Sequence, residues 1–205
     1  MIGFEDYADF KASATFKIAN PHFDFSYNTN IASYNDQHDF NSYIDEVMRD
    51  IHDLKESLDN LQIKKLAKHI NEYDNIVSVG LLFSEIGALD LQIKLAYSGK
   101  FIRTNLDDKK QEQIINECDE NTLLIIYSNS GTYIQKYVLS DFLEEKDFSK
   151  VKAKIVLITS NENMLNDENV DLCIHYHHKG TIQTHSVIYP LINDYIIKEY
   201  RQLSS

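Results

Sequence analysis

The chain has 205 residues, of which 43% are hydrophobic and 25% are charged. This composition is typical of a folded globular protein and excludes a disordered or fibrous chain. A formal net charge of −12 disfavours direct binding to nucleic acid, because that function needs clustered lysine and arginine. The sequence contains two cysteines, with no signal peptide or long apolar run. We therefore expect a cytoplasmic protein that does not enter a membrane.

The first 38 residues predict no hydrophobic core of their own. Aromatic residues recur at helical spacing from Met1 to Phe16, and a segment rich in Asn, Ser and Asp follows as far as Asp39. We predict a short helix and an irregular linker here, followed by one domain over residues 39–205. Apolar stripes between Phe40 and Tyr73 predict two helices with a break at Asp59-Asn60.

From Asn75 onward, predicted strands alternate with predicted helices, as in parallel sheets with right-handed crossovers. The strands are predicted over residues 76–80, 101–104, 123–128, 154–159 and 172–176, and the helices over residues 86–98, 108–118, 133–146 and 184–202. We predict an α/β fold, a three-layer sandwich around a five-stranded parallel flavodoxin-like sheet of order 2-1-3-4-5. In that order the loops after the first and third strands face each other across one crevice.

The loop from Ser128 to Thr132 has the composition of an anion-binding site. It follows the apolar run Leu123–Tyr127 and precedes a predicted helix. Gly131 can adopt the positive φ of a tight turn, and the loop hydroxyls and first helical N–H groups can donate hydrogen bonds to phosphate oxygens. The alternative is that Ser128 and Ser130 only cap the helix.

Two motifs resemble those of sugar isomerase (SIS) domains in RpiR-type (MurR/RpiR) transcription regulators. Residues 80–95 read G-L-L-F-S-E-I-G-A-L-D-L-Q-I-K-L, which is similar to the family pattern G-x-G-x-S-x-x-x-A-x-D-x-x-x-K-L. The loop Ser128-Asn-Ser-Gly131 resembles the family's S-x-S-G-x-T phosphosugar loop. The resemblance covers roughly residues 40–202 and implies the SIS fold.

The segment G-F-E-D-Y-A-D-F-K, residues 3–11, resembles the end of the helix-turn-helix domain of the same regulators. Residues 1–38 would then be the remnant of that domain plus a linker. DNA would be bound only through a helix-turn-helix domain that is absent from this chain.

The resemblance implies a sensor of a sugar phosphate that controls carbohydrate-metabolism genes, with no catalytic activity and no cofactor. The ligand-binding residues that it implies are Ser84, Ser128, Asn129, Ser130, Gly131 and Thr132, with Glu85, Tyr133 and His185 as further candidates. One alternative is a phosphosugar isomerase that uses Glu85 or His185 as the general base. A dimerisation module with a decayed pocket is the other.

Three positions depart from the family pattern. Leu82 stands where the family has a second glycine, Tyr133 replaces the loop threonine, and His185 replaces an arginine at the start of the last helix. We expect Leu82 and Tyr133 to narrow the crevice, which would weaken binding or alter the ligand, for example to an N-acetylated sugar phosphate.

Apolar side chains also predict an oligomer. The stripes on the two helices of residues 40–73 and the last-helix residues Val187, Leu191, Tyr195 and Ile196 carry more apolar surface than one face of a sheet needs. Symmetric pairing is the usual way to bury such surface, so we predict a homodimer or a higher oligomer.

The histidines His175, His177, His178 and His185 raise the question of a metal site. The pattern His-x-His on a strand places two imidazoles on one face. No carboxylate or cysteine lies at a recognisable ligand spacing in the sequence. The sequence therefore predicts no metal site.

Overall fold

A computed structural model of the chain describes residues 40–81, 83–135, 148–178 and 185–203. The predicted helix and linker over residues 1–38, most of the predicted helix over residues 133–146, and Leu82 lie outside these ranges. None of the described helices is long and apolar enough to cross a membrane.

The described residues form helices on either side of a parallel sheet. The helices are α1 (Phe40–Ser57), α2 (Asn60–Glu72), α3 (Phe83–Ala96), α4 (Asp108–Asn116), α5 (Thr132–Gln135) and α6 (His185–Leu203). The strands are β1 (Asn75–Gly80), β2 (Thr122–Tyr127), β3 (Lys154–Thr159) and β4 (Leu172–His175). Two 3-10 helices, Phe148–Lys150 and Glu162–Asn166, flank β3.

Local side chains set the starts of two helices. Asp59 caps α2 by accepting a hydrogen bond from the Leu61 N–H at 2.7 Å, which confirms the predicted break between the first two helices. Asp107 caps α4 in the same way, accepting from the Lys110 N–H at 2.9 Å. Carboxylates at these positions also interact favourably with the partial positive charge at the amino end of a helix.

The sheet has the order β1-β2-β3-β4 with every pair parallel. The predicted five-stranded order is not confirmed, since the described residues form four strands. The segment predicted as the second strand contributes one isolated bridge, between Arg103 and Val77. Within this segment Phe101 is 78% exposed, whereas Ile102 is buried in the core.

Alternating side chains of the strands feed two separate cores. On one face of β2, Leu123, Ile125 and Tyr127 pack with apolar residues of α2, α3 and α6. On the other face, Leu124 and Ile126 pack with residues of β1, β3 and α4. Every residue of β2 is buried, as expected for a central strand of a parallel sheet covered on both faces. Burial of each large aliphatic side chain contributes about 1.5–3 kcal/mol.

A buried polar network joins α3 to α6. The Asn193 amide donates to the Gly87 carbonyl and to the Asp90 carboxylate, both at 2.9 Å, and its carbonyl accepts from the Tyr127 hydroxyl. Lys94 completes the network through ion pairs to Asp90 at 2.8 Å and to an aspartate of α6 at 2.7 Å. The network holds the two helices in register over the end of β2.

The two aspartates determine the ionisation of Lys94. Burial alone would lower the pKa of Lys94, but hydrogen bonds to Asp194 and Asp90 and their negative charges outweigh it, so the pKa is raised. Asp90 and Lys94 are the D and K of the motif that resembles SIS domains. In this structure both act in helix packing.

We predict that Asn193→Ala lowers the free energy of unfolding by about 1–3 kcal/mol, because the buried Tyr127 hydroxyl loses its acceptor. Asp194→Ala is the matched control, since its side chain is 65% exposed, and should cost less than about 1 kcal/mol. Urea denaturation of the three proteins measures both values. Equal losses in the two variants would contradict the role given to the buried network.

Candidate functional site

The loops after β1 and β2 begin side by side. Gly80 pairs with Tyr127 at the carboxyl ends of the two strands. A Cβ atom on Gly80 would lie 2.7 Å from the backbone carbonyl atoms of Ser84, so only glycine permits the sharp turn into α3. The two loops therefore meet at one edge of the sheet, as the sequence predicted.

The second loop makes a tight turn at Gly131. Its φ is +77°, and a Cβ atom there would lie 2.5 Å from Met164 Cγ. The Gly131 N–H donates to the Ser128 carbonyl at 3.1 Å. On either side of Gly131, the hydroxyls of Ser130 and Thr132 lie 2.8 Å apart, with Ser130 exposed and Thr132 half-buried. Two hydroxyl groups thus converge on the open side of the loop.

The loop after β3 holds the second loop in place. Asn129 Oδ1 accepts from the Ser160 hydroxyl at 2.7 Å and from the Tyr176 hydroxyl at 2.9 Å. The Ser160 N–H donates to the Asn129 carbonyl at 3.1 Å, and Asn161 Nδ2 donates to the Ser130 carbonyl at 2.7 Å. Asn129 is therefore held in position by hydrogen bonds to Ser160 and Tyr176.

Ser128 and Ser130 also cap the following turn. Ser128 Oγ accepts from the Tyr133 N–H at 3.3 Å, and Ser130 Oγ accepts weakly from the Thr132 N–H at 3.4 Å. A hydroxyl that accepts from an N–H keeps its own proton for a second partner. Capping and ligand binding by these serines are therefore compatible.

Buried hydroxyls connect the two loops beneath the sheet edge. Ser84 Oγ lies 3.3 Å from Tyr189 Oη, the Tyr189 and Tyr176 hydroxyls are hydrogen-bonded, and Tyr176 donates to Asn129. Asn129 Oδ1 can only accept, so the Tyr176 hydroxyl is the donor at that end of the chain. At the other end, either hydroxyl of the Ser84–Tyr189 pair can be the donor. Burial raises the pKa of both tyrosines, so both stay protonated donors at neutral pH.

Tyr133 does not line the crevice. Its ring is 2% exposed, and its hydroxyl donates to Gln111 Oε1 at 2.8 Å. Gln111 Nε2 in turn donates to the Gly80 carbonyl at 2.8 Å. The expectation that Tyr133 narrows the crevice is wrong. The ring packs in the apolar core, and the hydroxyl bonds the buried amide of Gln111. Tyr133 instead supports the first loop through Gln111.

The remaining candidates lie at helix starts. Glu85 is half-buried in the first turn of α3, where a carboxylate interacts favourably with the helix dipole. His185 is the first residue of α6, and its side chain lies outside the described part of the structure.

The structure divides the histidine cluster and adds a residue that the sequence analysis missed. The rings of His175 and His177 meet edge to face, with centroids 5.3 Å apart, and Glu162 lies 3.5 Å from His177 Nε2. Glu162 follows β3 directly in a polar run, the same pattern that identified the loop after β2. His178 points elsewhere and lies 3.4 Å from the Asp50 carboxylate of α1.

A shallow cavity of about 520 Å³ between α3 and α6 does not coincide with the loops. It is lined by Lys94, Tyr97, Asp194, Ile197, Lys198, Arg201 and Gln202. Lys94 lies in the last turn of α3, Tyr97 directly follows that helix, and the other residues belong to α6, whereas the first loop precedes the amino end of α3. The cavity is therefore not the candidate site.

The comparisons with known proteins were informative only at the level of structure. No protein-family model matches the chain, and no curated protein matches its sequence. NanR of Vibrio vulnificus, complexed with ManNAc-6P, is similar over 98% of this chain and 70% of its own, with 12% identity and a TM-score of 0.64. The sugar isomerase domain of an RpiR transcription factor from Sphaerobacter thermophilus covers 78% of this chain and 97% of its own, with 11% identity and a TM-score of 0.52.

A third similar structure is a Bacteroides fragilis protein assigned as a phosphosugar isomerase involved in capsule formation. It has 14% identity and a TM-score of 0.60, and the match covers 81% of this chain and 92% of that one. The chain therefore has the fold of sugar isomerase domains, a fold shared by phosphosugar isomerases and by domains of RpiR-type regulators. The fold implied by the two motifs is confirmed.

We predict that acid destabilises the protein in part through His178. The His178 side chain is 1% exposed, and burial lowers its pKa below the ordinary 6.5 despite the negative charges of Asp50, Glu46 and Asp53. The unfolded chain therefore takes up this proton first as the pH falls. The stability that depends on neutral His178 is present above pH 6.5 and is lost as the pH falls through the lowered value.

Urea denaturation from pH 7.5 to pH 5 should show a smaller loss of stability for His178→Gln than for the parent. His52→Gln is the control, since His52 is exposed on α1, and it should keep the parent's pH dependence. Parallel pH profiles for the parent and His178→Gln would contradict this assignment.

Proposed function

We propose that this chain is the effector-sensing, phosphosugar-binding domain of an RpiR-type transcription regulator that controls carbohydrate-metabolism genes. The observation that carries the proposal is the loop Ser128–Thr132, in which the exposed Ser130 and the half-buried Thr132 flank a left-handed glycine turn at the carboxyl edge of the sheet and their hydroxyls lie 2.8 Å apart. Support comes from the shared fold with the regulator domain and with NanR, which was solved with a sugar phosphate bound.

The second loop offers several neutral donors to an anion. Ser128, Ser130 and Thr132 supply hydroxyl groups. Among the described residues, the N–H groups of Asn129 and Ser130 have no protein acceptor, so two consecutive amides also remain for phosphate oxygens. The Gly131 N–H donates to the Ser128 carbonyl, so in our proposal Gly131 shapes the turn.

Ser84 completes the proposed site from the first turn of α3, directly after the first loop. It is 9% exposed, and its hydroxyl lies 3.3 Å from Tyr189 Oη with either oxygen able to donate. A sugar hydroxyl can act as donor or acceptor toward such a group, whereas an ionised phosphate oxygen can only accept. In our proposal the second loop binds the phosphate, and Ser84 contacts the sugar.

A phosphosugar isomerase is the second candidate, favoured by the similar fold of the Bacteroides fragilis protein. Isomerisation needs a general base within hydrogen-bond reach of the sugar carbons. Glu85 and His185 are the candidate bases. Turnover of aldose or ketose phosphates by the parent that is lost in Glu85→Gln or His185→Ala would replace the sensor with an enzyme.

We predict that Ser128→Ala/Ser130→Ala weakens phosphosugar binding by about 2–4 kcal/mol, or roughly 30-fold to 1000-fold, because hydrogen bonds to a charged phosphate are lost. Calorimetry with hexose phosphates and N-acetylhexosamine phosphates measures the change. Ser98→Ala is the matched control, since Ser98 lies beyond the far end of α3 and should leave the affinity unchanged.

Two results would count against this site. An unchanged affinity in the double variant would place the ligand elsewhere. No binding of any phosphosugar by the parent would favour the dimerisation module with a decayed pocket. Thermal unfolding of the double variant should accompany the calorimetry, because Ser128 also caps the turn at Tyr133.

The remaining assignments concern the whole regulator. DNA would be bound through a helix-turn-helix domain upstream of residues 1–38, and the protein would act in the cytoplasm. An acidic chain with a net charge of −12 suits a sensing domain that leaves DNA contact to another domain.

A homodimer would bring two sensing domains together. Exposed apolar side chains form a stripe along α1 at Phe40, Ile44, Met48 and Ile51, with exposures of 74%, 37%, 62% and 38%. Leu191 of α6 is also 37% exposed, whereas Ile196 is fully buried within the chain and adds nothing to a free surface. We propose that the α1 stripe contributes most of the dimer contact.

Sedimentation equilibrium should therefore show a dimer at tens of micromolar, and Met48→Glu should weaken it by at least about tenfold by placing a charge in the apolar contact. Glu56→Gln, an exposed change on the same helix, should leave the dimer intact. A monomeric parent, or a dimer insensitive to Met48→Glu, would exclude α1 as the interface.

A further inference from the structure

We propose that Glu162, His175 and His177 bind one divalent transition-metal ion of the zinc class. Each residue offers one ligand atom, and the three atoms all lie within 4.8 Å of one another. The residues come from different elements. Glu162 begins the 3-10 helix after β3, His175 ends β4, and His177 follows two residues later.

The distances suit a single small cation. Zinc bonds of about 2.0–2.1 Å place neighbouring ligand atoms of a tetrahedron roughly 3.3–3.4 Å apart. Glu162 Oε1 and His177 Nε2 are 3.5 Å apart. The three ligand atoms can reach these shorter distances by side-chain rotation alone, because His177 and Glu162 are exposed and His175 is half-buried.

The donor set selects the class of metal. Two imidazoles and one carboxylate match zinc, cobalt and nickel, whereas magnesium and calcium prefer oxygen ligands alone. Three protein ligands leave a fourth position for water or for an oxygen of another molecule.

The backbone holds all three residues before any metal binds. His175 pairs with Thr159 in the β3–β4 register, and the His177 N–H donates to the Ser57 hydroxyl at 2.8 Å. Asn161 caps the 3-10 helix by accepting from the Asn163 N–H at 3.0 Å, which fixes the start at Glu162. Only side-chain rotations therefore remain to be ordered on binding.

A neighbouring carbonyl orients one of the ligands. The Ser160 carbonyl oxygen lies 3.3 Å from His175 Nε2, and such an acceptor on one ring nitrogen is the usual support of a ligating histidine. Ser160 also bonds Asn129 through its N–H and hydroxyl. The metal site thus shares a support with the second loop, although its binding of metal does not depend on phosphosugar binding there.

A simple ion pair is the competing explanation. Between side chains that are 53% and 71% exposed, the contact between His177 and Glu162 would contribute little stability, because solvent and salt screen an exposed pair. That explanation also assigns no role to His175. It predicts no selective metal binding, so the two explanations are separable.

The test is calorimetry of ZnCl2 binding to the whole chain, freed of any affinity tag and dialysed against a chelator. We expect one zinc ion per chain. His175→Ala and His177→Ala should each weaken binding at least about 100-fold, and Glu162→Gln at least about tenfold, because a three-ligand site loses one ligand. The controls His52→Ala and Glu168→Gln, both exposed in the parent, should bind zinc like the parent.

Cobalt supplies a spectroscopic readout. Co²⁺ in the parent should give the intense visible absorption of a tetrahedral site, which His177→Ala should abolish. His177 is exposed, so this variant decides the question even if His175→Ala fails to fold. Absence of zinc and cobalt binding by the parent, or affinity within about threefold of the parent in His177→Ala, would overturn the proposal.

Discussion

The burial of β2 on both faces is the constraint on which the rest of the structure depends. All six positions from Thr122 to Tyr127 are buried, so the strand must lie between neighbours and beneath helices. Its carboxyl end therefore lies between the carboxyl ends of β1 and β3, and the loop that follows it lies between the loops after those strands. Of the polar residues that follow Tyr127, Ser128 is still buried, whereas Ser130 is exposed and Thr132 half-buried at the turn.

The hydroxyl groups around this edge divide into two sets with different tasks. Ser84, Tyr176 and Tyr189 form a buried chain of hydrogen bonds that ends on Asn129. Ser130 and Thr132 face the open side. Because an unpaired buried hydroxyl costs about 1–3 kcal/mol, the buried chain resists displacement of either loop. The exposed set is thereby held in one arrangement before a ligand arrives, which lowers the ordering cost of binding.

Several residues of the recognised motifs act in packing. Asp90 and Lys94 bond α3 to α6, and Tyr133, which stands in place of a threonine, ties the second loop to Gln111 and so to the carbonyl of Gly80. A large buried phenol at this position adds apolar contact while its hydroxyl satisfies a buried amide. Tyr133, which departs from the family pattern, therefore affects how the two loops are held together and does not narrow the space between them.

The sequence by itself determined the α/β class, the positions of β1 to β4, the parallel arrangement and the two loops at one edge, because runs of apolar residues and glycine turns are local properties of a chain. Only the tertiary structure decided the rest. The predicted strand at residues 101–104 forms a single bridge at Arg103, since its pairing depends on hydrogen bonds to β1, which lies far from it along the chain. The Tyr133 ring lies in the core, where its hydroxyl donates a hydrogen bond to Gln111. Glu162 met His175 and His177 because β3 and β4 pair in parallel and bring their carboxyl ends together, a proximity that spacing along the sequence does not contain.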